Sequence, residues 1–186
     1  MSKNAVRNNI LSRRKRLTKS ELVEKSETIE LKVLNFLSNY QFDNYLVYLS
    51  INNEVLTDKI ISFLIKDNKK VYLPALGTQD NEWLIAKFQN WDELENGPYN
   101  IQQPKTPKKI AANYLDAAII PGIAFSQKGI RLGYGKGVYD KLLEDFKGMK
   151  IGLAFEFQMV NKITPHKNDL VMDVIFTEKR GYFMAI

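Results

Sequence analysis

The sequence predicts an α/β domain with a largely parallel sheet that is covered by helices on both faces. Segments with strand character alternate with segments of helical periodicity, and several of the strands are apolar along their whole length. The length of 186 residues and a hydrophobic share of 45% fit one domain with a real core, so we expect residues 1–186 to form a single domain.

The chain is expected to begin with two helices. Residues 3–17 suit a first helix with Ser2 as its cap, and the pattern TKSE at residues 18–21 is a capping box that starts a second helix. Apolar residues then recur at helical spacing, so the second helix should end near residue 38.

The remaining segments alternate between strands and helices. Strands are predicted at residues 45–50, 70–73, 82–88, 115–120, 150–155, 173–177 and 181–186. We expect Pro74 to close the second of these strands, the fourth to be central, and the third and the last to lie at edges. Helices are predicted at residues 57–66 and 138–146, and residues 89–109 are expected to be mostly loop.

The composition argues against several classes of protein. The chain has no cysteine, which excludes disulfides and thiolate metal sites and fits a reducing compartment. No apolar run is long enough to span a bilayer, and the basic N-terminus lacks the apolar stretch of a secretory signal. We therefore expect a cytoplasmic protein without a membrane partner.

The formal net charge of +6 resides in the first part of the chain. Residues 1–20 hold 7 of the 27 basic residues and no acidic one, so the remainder holds 20 basic and 21 acidic residues. A duplex-binding surface needs basic groups over a wide footprint, so we expect no nucleic-acid partner. The segment suits a small polyanion such as a nucleotide triphosphate or a polyglutamyl tail, and a solvated basic helix face is the alternative.

The stretch RLGYGKGVYD at residues 131–140 has the character of an anion site. Its glycines permit positive φ and let backbone N–H groups converge, and a helix N-terminus follows directly. Arg131 and Lys136 add positive charge, and Asp140 can hold a divalent cation that bridges phosphates. Tyr134 and Tyr139 can stack on a flat heterocycle.

The glycine pattern matches neither of two common phosphate-binding motifs. Val138 replaces the last glycine of the dinucleotide fingerprint, and a P-loop would need glycine at Ile130 and a hydroxyl residue at Gly137. The alternative interpretation is a tight loop with a surface ion pair between Lys136 and Asp140.

RLGYGKGVYD, followed by a helix, a strand and NDLVMD at residues 168–173, closely resembles the 5-formyltetrahydrofolate cyclo-ligases, also called 5,10-methenyltetrahydrofolate synthetases. KNAVR at residues 3–7 resembles the K-x-x-x-R start of that family, YLSINNE at 48–54 resembles its strand end with a glutamate, and YNI at 99–101 lies where the family has an aromatic before N-I. The resemblance spans the whole chain in order.

The resemblance implies an ATP-dependent, Mg²⁺-requiring ring closure that converts 5-formyltetrahydrofolate to 5,10-methenyltetrahydrofolate with release of ADP and phosphate. In that family the formyl oxygen attacks the γ-phosphate, N10 attacks the phosphorylated imidate, and phosphate leaves. The implied fold is a three-layer α/β/α domain related to the ribose-phosphate isomerase and CoA-transferase group. The expected partners are 5-formyltetrahydrofolate and its polyglutamates, bound by a monomer.

The resemblance also implies a set of site residues. Catalysis would depend on Arg131 and Lys136, and Mg²⁺ would be held by Asp140 and Asp169. ATP would contact Lys3, Asn4, Ala5, Val6, Arg7, Arg131, Leu132, Gly133, Tyr134, Gly135, Lys136, Gly137, Val138 and Tyr139. The folate would contact Leu49, Glu54, Tyr134, Gly135, Lys136, Gly137 and Val138.

Some positions depart from the family or have an ordinary structural interpretation. Val138 replaces the usual family tyrosine, which removes an aromatic wall, and Asp173 is the alternative to Asp169 as the metal ligand. Structural or solvated roles are expected for His166, Trp83, Trp91 and the basic residues 13–16, although the last could bind a glutamate tail.

Two other functions are alternatives. One is a sugar-phosphate isomerase or acyl-CoA enzyme of the same fold group, with Glu54 or Asp116 acting without ATP. The other is a nucleic-acid or regulatory binding module that uses residues 1–20.

Overall fold

The fold is built on an eight-stranded sheet. The computed structural model describes residues 2–77, 82–97, 101–166 and 169–184. The helices of this described part are α1 (Lys3–Lys15), α2 (Lys19–Leu37), α3 (Asp58–Lys66) and α4 (Val138–Leu142). Its strands are β1 (Asn44–Leu46), β2 (Lys70–Leu76), β3 (Trp83–Lys87), β4 (Leu94–Asn96), β5 (Gln102–Pro104), β6 (Lys109–Ile110), β7 (Ala117–Pro121), β8 (Ala124–Ser126), β9 (Arg131–Leu132), β10 (Met149–Leu153), β11 (Met159–Val160), β12 (Val174–Phe176) and β13 (Gly181–Phe183).

The main sheet is parallel at its centre and antiparallel at both edges. Its strand order is β13-β12-β10-β7-β1-β2-β3-β6. Neighbours from β12 to β2 in this order pair in parallel, whereas β13, β3 and β6 pair antiparallel. The prediction of an α/β fold with a largely parallel sheet is therefore confirmed, and β7 lies at its centre as expected.

Successive residues of the central strands face opposite sides of the sheet, and helices cover each side. Ile119 of β7 packs in one apolar cluster with Ile29 of α2 and Ile60 of α3. Its neighbour Ile120 belongs to a second cluster with Leu143, which follows α4. The result is three layers, α/β/α, whose relation to the ribose-phosphate isomerase and CoA-transferase group stays a prediction.

Both N-terminal helices begin where their capping residues predict. The Ser2 hydroxyl accepts a hydrogen bond from the backbone N–H of Ala5 at the start of α1. Thr18 and Glu21 form the reciprocal bonds of a capping box at the start of α2. These side chains satisfy N–H groups that have no partner within the helix, so the chain has a local reason to turn between α1 and α2.

Several predicted segments differ from the structure. The helix expected at residues 138–146 ends as α4 at Leu142, and β3, expected at an edge, is flanked by β6. β1 ends at Leu46, not at residue 50, because the backbone beyond it bonds a loop: the carbonyl of Tyr48 accepts from the Thr57 hydroxyl at 2.6 Å. Residues 89–109, expected to be mostly loop, contain the antiparallel hairpin of β4 and β5 and also β6.

The prediction that Pro74 closes its strand is wrong, because β2 continues through it. The Tyr72 carbonyl accepts a hydrogen bond from Val47 next to β1, and Pro74, two residues further on, faces the same way. β1 has ended at that level, so the missing N–H of proline removes no bond between strands.

A cleft lies beyond the carboxyl ends of β1 and β7, where ligands of open α/β sheets bind. The segments that leave these two strands line it, together with Leu73 and Pro74 within β2. No helix in the described ranges is long and apolar enough to cross a membrane.

Candidate active site

The cleft has a volume of about 470 Å³ and gathers residues from distant parts of the chain. Its predicted members are Lys3, Arg7, Leu49, Glu54, Arg131, Leu132, Gly133, Tyr134, Gly135, Lys136, Gly137, Val138, Tyr139, Asp140 and Asp169. Its further members are Tyr48, Ile51, Asn52, Leu73, Pro74, Trp83, Ile101, Gln102, Pro121, Gly122 and His166. This volume lies in the range of small-molecule and cofactor sites.

The structure gives a separate geometric reason for glycine at each of the three glycine positions of the RLGYGKGVYD loop. A Cβ on Gly133 would lie 2.7 Å from Nη1 of Arg131, so glycine makes room for that guanidinium. Gly135 and Gly137 have φ of +96° and +65°, conformations that residues with side chains adopt at a cost. Gly137 is also the N-cap of α4, so the loop delivers its backbone directly to a helix start.

Helix α1 is fastened to this loop by Arg7. Nε of Arg7 donates to the carbonyl oxygen of Gly133 at 2.9 Å, and its Nη1 donates to Oδ1 of Asn4 at 2.7 Å. Lys3, one turn earlier, also lines the cleft. Two basic residues of the N-terminal segment, Lys3 and Arg7, therefore line the cleft together with the glycine loop.

The other three residues of the N-terminal motif lie beside the cleft without lining it. Asn4 orients Arg7, and Ala5 is exposed to solvent. Val6 packs in an apolar cluster with Ile10 and Leu132, so its side chain anchors α1 to the body of the fold.

Arg131 is the most confined cation at the loop. Its side chain is 7% exposed, and Nη2 donates to Oδ1 of Asp140 at 3.0 Å. Its guanidinium carbon lies 5.4 Å from the ring centre of Tyr139, in a cation–π contact. Within the described residues its Nε has no hydrogen-bond partner, although the atom is buried. The Nε–H group of Arg131 can therefore donate a hydrogen bond to a ligand, at a cleft that other cationic side chains also line.

Tyr139 and Lys136 differ in their environment. Tyr139 belongs to α4, its side chain is partly buried against the two main apolar clusters, and burial raises the pKa of its hydroxyl, so it stays neutral. Lys136 is exposed on the loop that lines the cleft, where an ammonium group can reach an anion in solution.

The two predicted metal ligands both lie on the cleft. Asp140 accepts from Arg131 and, at 3.3 Å, from the backbone N–H of Leu170. Asp169 accepts from the backbone N–H of His166 at 2.8 Å, and Nζ of Lys3 lies 3.5 Å from its carboxylate. Mg²⁺ is commonly held by one or two carboxylates together with substrate phosphates, so this pair fits Mg²⁺ that arrives with a nucleotide.

The alternative metal ligand, Asp173, is engaged elsewhere. Its Oδ2 accepts from the backbone N–H of Lys150 at 2.7 Å and lies 3.1 Å from the ammonium of the same lysine. It does not line the cleft. No group of three or more acidic, histidine or cysteine side chains suited to a metal occurs in the part of the chain that is described.

Glu54 is held at the back of the cleft by a buried arginine. Oε1 of Glu54 lies 3.7 Å from Nη2 of Arg14, and the two side chains are 5% and 0% exposed. Burial raises the pKa of Glu54, while Arg14, the backbone N–H of Ile51 and the hydroxyl of Tyr134 act in the opposite direction. The expectation that residues 13–16 form a solvated face is wrong for Arg14, because the turn at residues 51–54 covers it.

Trp83 and His166 line the cleft, although structural or solvated roles are expected for both from their sequence context. Trp83 is the first residue of β3 and pairs with Leu76 at the end of β2, and the backbone N–H of His166 donates to the carboxylate of Asp169. Neither residue belongs to a local motif, so only the packing of distant segments brings them to the site. The segments YN at 99–100 and Asn168 of the family resemblance, and the end of the predicted last strand at 185–186, lie outside the described residues.

An α/β sheet with a cation-lined glycine loop beyond its strand ends is the architecture of an enzyme that acts on an anionic ligand. The chain belongs to the 5-formyltetrahydrofolate cyclo-ligase family, whose model matches residues 1–178. The family predicted from the sequence is thus confirmed.

Relatives of known name agree over nearly the whole chain. The 5-formyltetrahydrofolate cyclo-ligase of Haemophilus influenzae is 28% identical over 177 residues, which cover 91% of this chain and 95% of that protein. The Escherichia coli K12 enzyme of the same name is 27% identical, with coverage of 92% and 97%.

Solved structures match equally well. The 5,10-methenyltetrahydrofolate synthetase of Aquifex aeolicus superposes with a TM-score of 0.87 at 28% identity, covering 100% of this chain and 94% of that one. The synthetase of Mycoplasma pneumoniae gives 0.79 at 26% identity, with coverage of 96% and 99%.

Proposed function

We propose that this chain closes the ring of 5-formyltetrahydrofolate to give 5,10-methenyltetrahydrofolate, with ATP converted to ADP and phosphate. Membership of the cyclo-ligase family supports this reaction. The observation that carries it is the joint presence, in one cleft, of an anion-binding glycine loop and a buried carboxylate, Glu54. A reaction that transfers the γ-phosphoryl group of ATP to a folate needs both features side by side.

The nucleotide is proposed to lie along the glycine loop. Backbone N–H groups of residues 131–139 and the N-terminus of α4 face its phosphates, and Lys3 and Arg7 approach from α1. Phosphoryl transfer depends mainly on alignment and charge stabilisation, which Arg131 and Lys136 supply as the proposed catalytic residues. The remaining contacts follow the family motif through Asn4, Ala5, Val6, Leu132 and Tyr139.

Mg²⁺ is proposed to be held by Asp140 and Asp169. A bound magnesium ion would offset the charge of the phosphates. Asp140 also orients Arg131 through their 3.0 Å contact, and Asp169 holds Lys3 near the same place. These two carboxylates therefore also position the cations that face the nucleotide.

The folate is proposed to occupy the apolar side of the cleft. Glu54 accepts N–H bonds from the amino-pyrimidine edge of the pterin, and Leu49, Tyr134 and Val138 line its faces, together with the backbone of Gly135 and Gly137. The formyl oxygen then attacks the γ-phosphorus, and ADP leaves. N10 attacks the resulting imidate carbon, the N10 proton passes to the departing phosphate or to water, and phosphate leaves with the former formyl oxygen.

The direct test mixes the purified protein with 5-formyltetrahydrofolate, ATP and Mg²⁺ and follows the near-ultraviolet absorbance of the methenyl product. We expect product and ADP to form in equal amounts, and no product when ATP is omitted. A folded protein that forms no product from authentic substrate would contradict the proposal.

The comparisons support the cyclo-ligase reaction and not the isomerase or acyl-CoA alternative. Asp116, a carboxylate of that alternative, accepts from the backbone N–H groups of Asp43 and Asn44 at 2.9 and 2.8 Å and does not line the cleft. Binding of polyglutamates, the monomeric state, a cytoplasmic location and the single-domain organisation of residues 1–186 stay predictions.

A further inference from the structure

A buried arginine outside the proposed reaction machinery lies directly behind the folate end of the cleft. We propose that Arg14 is a positioning residue, which fixes Glu54 as an ionised pterin-binding group and connects it to the glycine loop through Tyr134. This inference rests on the proposed function, because it takes Glu54 as the group that binds the pterin.

Arg14 holds the turn that carries Glu54. Its Nε donates to the carbonyl of Asn52 and its Nη2 to that of Ile51, each at 3.1 Å. In return, the side-chain amide of Asn53 donates to the Arg14 carbonyl at 3.0 Å. These bonds clamp residues 51–54 onto α1 from both directions, so the direction in which Glu54 points depends on Arg14.

The clamped turn has a conformation that needs support. Asn52 and Asn53 both have positive φ, 50° and 55°, which is costly for residues with a side chain even though asparagine tolerates it best. The turn closes with a bond of 2.9 Å from the N–H of Glu54 to the carbonyl of Ile51. These two residues directly precede Glu54, so the position of the Glu54 side chain depends on the turn keeping this conformation.

Arg14 also supplies the positive charge that Glu54 needs. The other titratable groups facing Glu54 are the phenols of Tyr134 in the glycine loop, Tyr139 in α4 and Tyr48 after β1. Burial favours the neutral acid, which cannot accept two N–H bonds as a carboxylate does. The guanidinium at 3.7 Å favours the ionised form.

The same guanidinium reaches the glycine loop. Its Nη2 lies 3.4 Å from the hydroxyl of Tyr134, which lies between Gly133 and Gly135. Its Nη1 is buried without a hydrogen-bond partner in the described ranges. Because a buried donor without a partner lowers stability, stability alone does not account for an arginine here.

The experiment compares Arg14→Met, Arg14→Lys, Glu54→Gln and the Arg14→Met/Glu54→Gln double variant with the wild type. Arg180→Met is the matched control. It also removes a guanidinium from an ion pair, in which Nε of Arg180 lies 3.5 Å from Oε1 of Glu156, but neither residue of this pair lines the cleft. KM for monoglutamyl 5-formyltetrahydrofolate and for ATP is measured between about pH 6 and pH 9, and circular dichroism with thermal unfolding establishes that each variant folds.

Arg14→Met is expected to raise the folate KM at least about tenfold at neutral pH, with a change of less than about threefold in the ATP KM. Its folate KM should fall again as pH rises, because Glu54 without Arg14 ionises at higher pH. Arg14→Met should add little to the effect of Glu54→Gln, and Arg14→Lys should lie between wild type and Arg14→Met.

Three results would overturn the proposal. The first is a folded Arg14→Met or Arg14→Lys variant whose folate KM and pH profile equal those of Arg180→Met. The second is an equal rise in both KM values. The third is loss of folding in both Arg14 variants, which would assign Arg14 to folding alone. If the wild type binds 5-formyltetrahydrofolate but does not turn it over, the proposed reaction is wrong. The role of Arg14 is then tested by measuring the Kd for 5-formyltetrahydrofolate in the same variants.

Discussion

Arg7 donates a hydrogen bond of 2.9 Å to the carbonyl oxygen of Gly133, a residue 126 positions further along the chain. This bond closes the cleft between the first helix and the glycine loop. It places a guanidinium next to backbone that is shaped to bind an anion, so the proposed nucleotide site is assembled from both halves of the sequence.

Substitution of Lys136 by alanine should lower kcat at least about 100-fold, because it removes a positive charge that is proposed to face the transferring phosphoryl group. Stability should hardly change, since the side chain is exposed. The rate of methenyl product formation checks this, with Lys141→Ala as the control on the exposed side of α4. Equal rates for Lys136→Ala and the wild type would remove Lys136 from the mechanism.

Alanine at Gly135 should weaken nucleotide binding more than alanine at Gly137. At Gly135 the new Cβ meets a φ of +96° and lies 3.3 Å from Nη2 of Arg7, whereas at Gly137 φ is +65° and no described atom lies within 4 Å. We expect a Kd for ATP raised about tenfold for Gly135→Ala and about threefold or less for Gly137→Ala, measured by calorimetry. The reverse order would contradict this geometry of the loop.

Replacing Val138 by tyrosine should strengthen folate binding, because it supplies the aromatic wall that the resemblance to the family implies at this position. Stacking of one ring is worth about 1 kcal/mol, so the folate KM should fall about fivefold while kcat changes little. Val138→Leu serves as the size control without an aromatic ring. A folate KM that falls equally in both variants would show that apolar bulk, not stacking, is what the site lacks.

Glu30 should make the protein less stable as pH rises toward neutrality. Burial raises the pKa of Glu30 from 4.5 to about 7, against the opposing hydrogen bond from the backbone N–H of Lys59 at the start of α3. Between these two values the folded protein keeps a proton that the unfolded chain releases, so stability present at low pH is lost as pH rises through the folded pKa.

The glutamine of Glu30→Gln stays neutral at every pH, so this variant should not show the loss of stability that ionisation of Glu30 causes as pH rises. Between about pH 5 and pH 8 the unfolding free energy of the wild type should fall by on the order of 2 kcal/mol more than that of the variant. Urea unfolding at both pH values checks the difference. Parallel pH dependence in the two proteins would show that Glu30 is ionised throughout.

The sequence predicts those features that depend on neighbours along the chain. The capping box at Thr18 and the left-handed freedom required at Gly135 and Gly137 are local, and the structure has them in place. The alternation of apolar strands with helices also suffices for the parallel sheet, because strands buried on both faces need helices on both faces.

Features that depend on tertiary packing could not be predicted in this way. Arg14 belongs to a run of basic residues that looks solvated, and only the approach of the distant turn at residues 51–54 buries it. Likewise, Trp83 reaches the cleft because β3 pairs with a strand that continues through Pro74. No pattern of residue spacing in the sequence predicts either contact.

The most direct measurement is a crystal structure with a non-hydrolysable ATP analogue, Mg²⁺ and 5-formyltetrahydrofolate. The γ-phosphoryl group is expected against the backbone N–H groups of residues 133–137, with Arg7 and Lys136 on either side and the formyl oxygen next to it. A polyphosphate bound elsewhere, with these two side chains pointing away from it, would contradict the account.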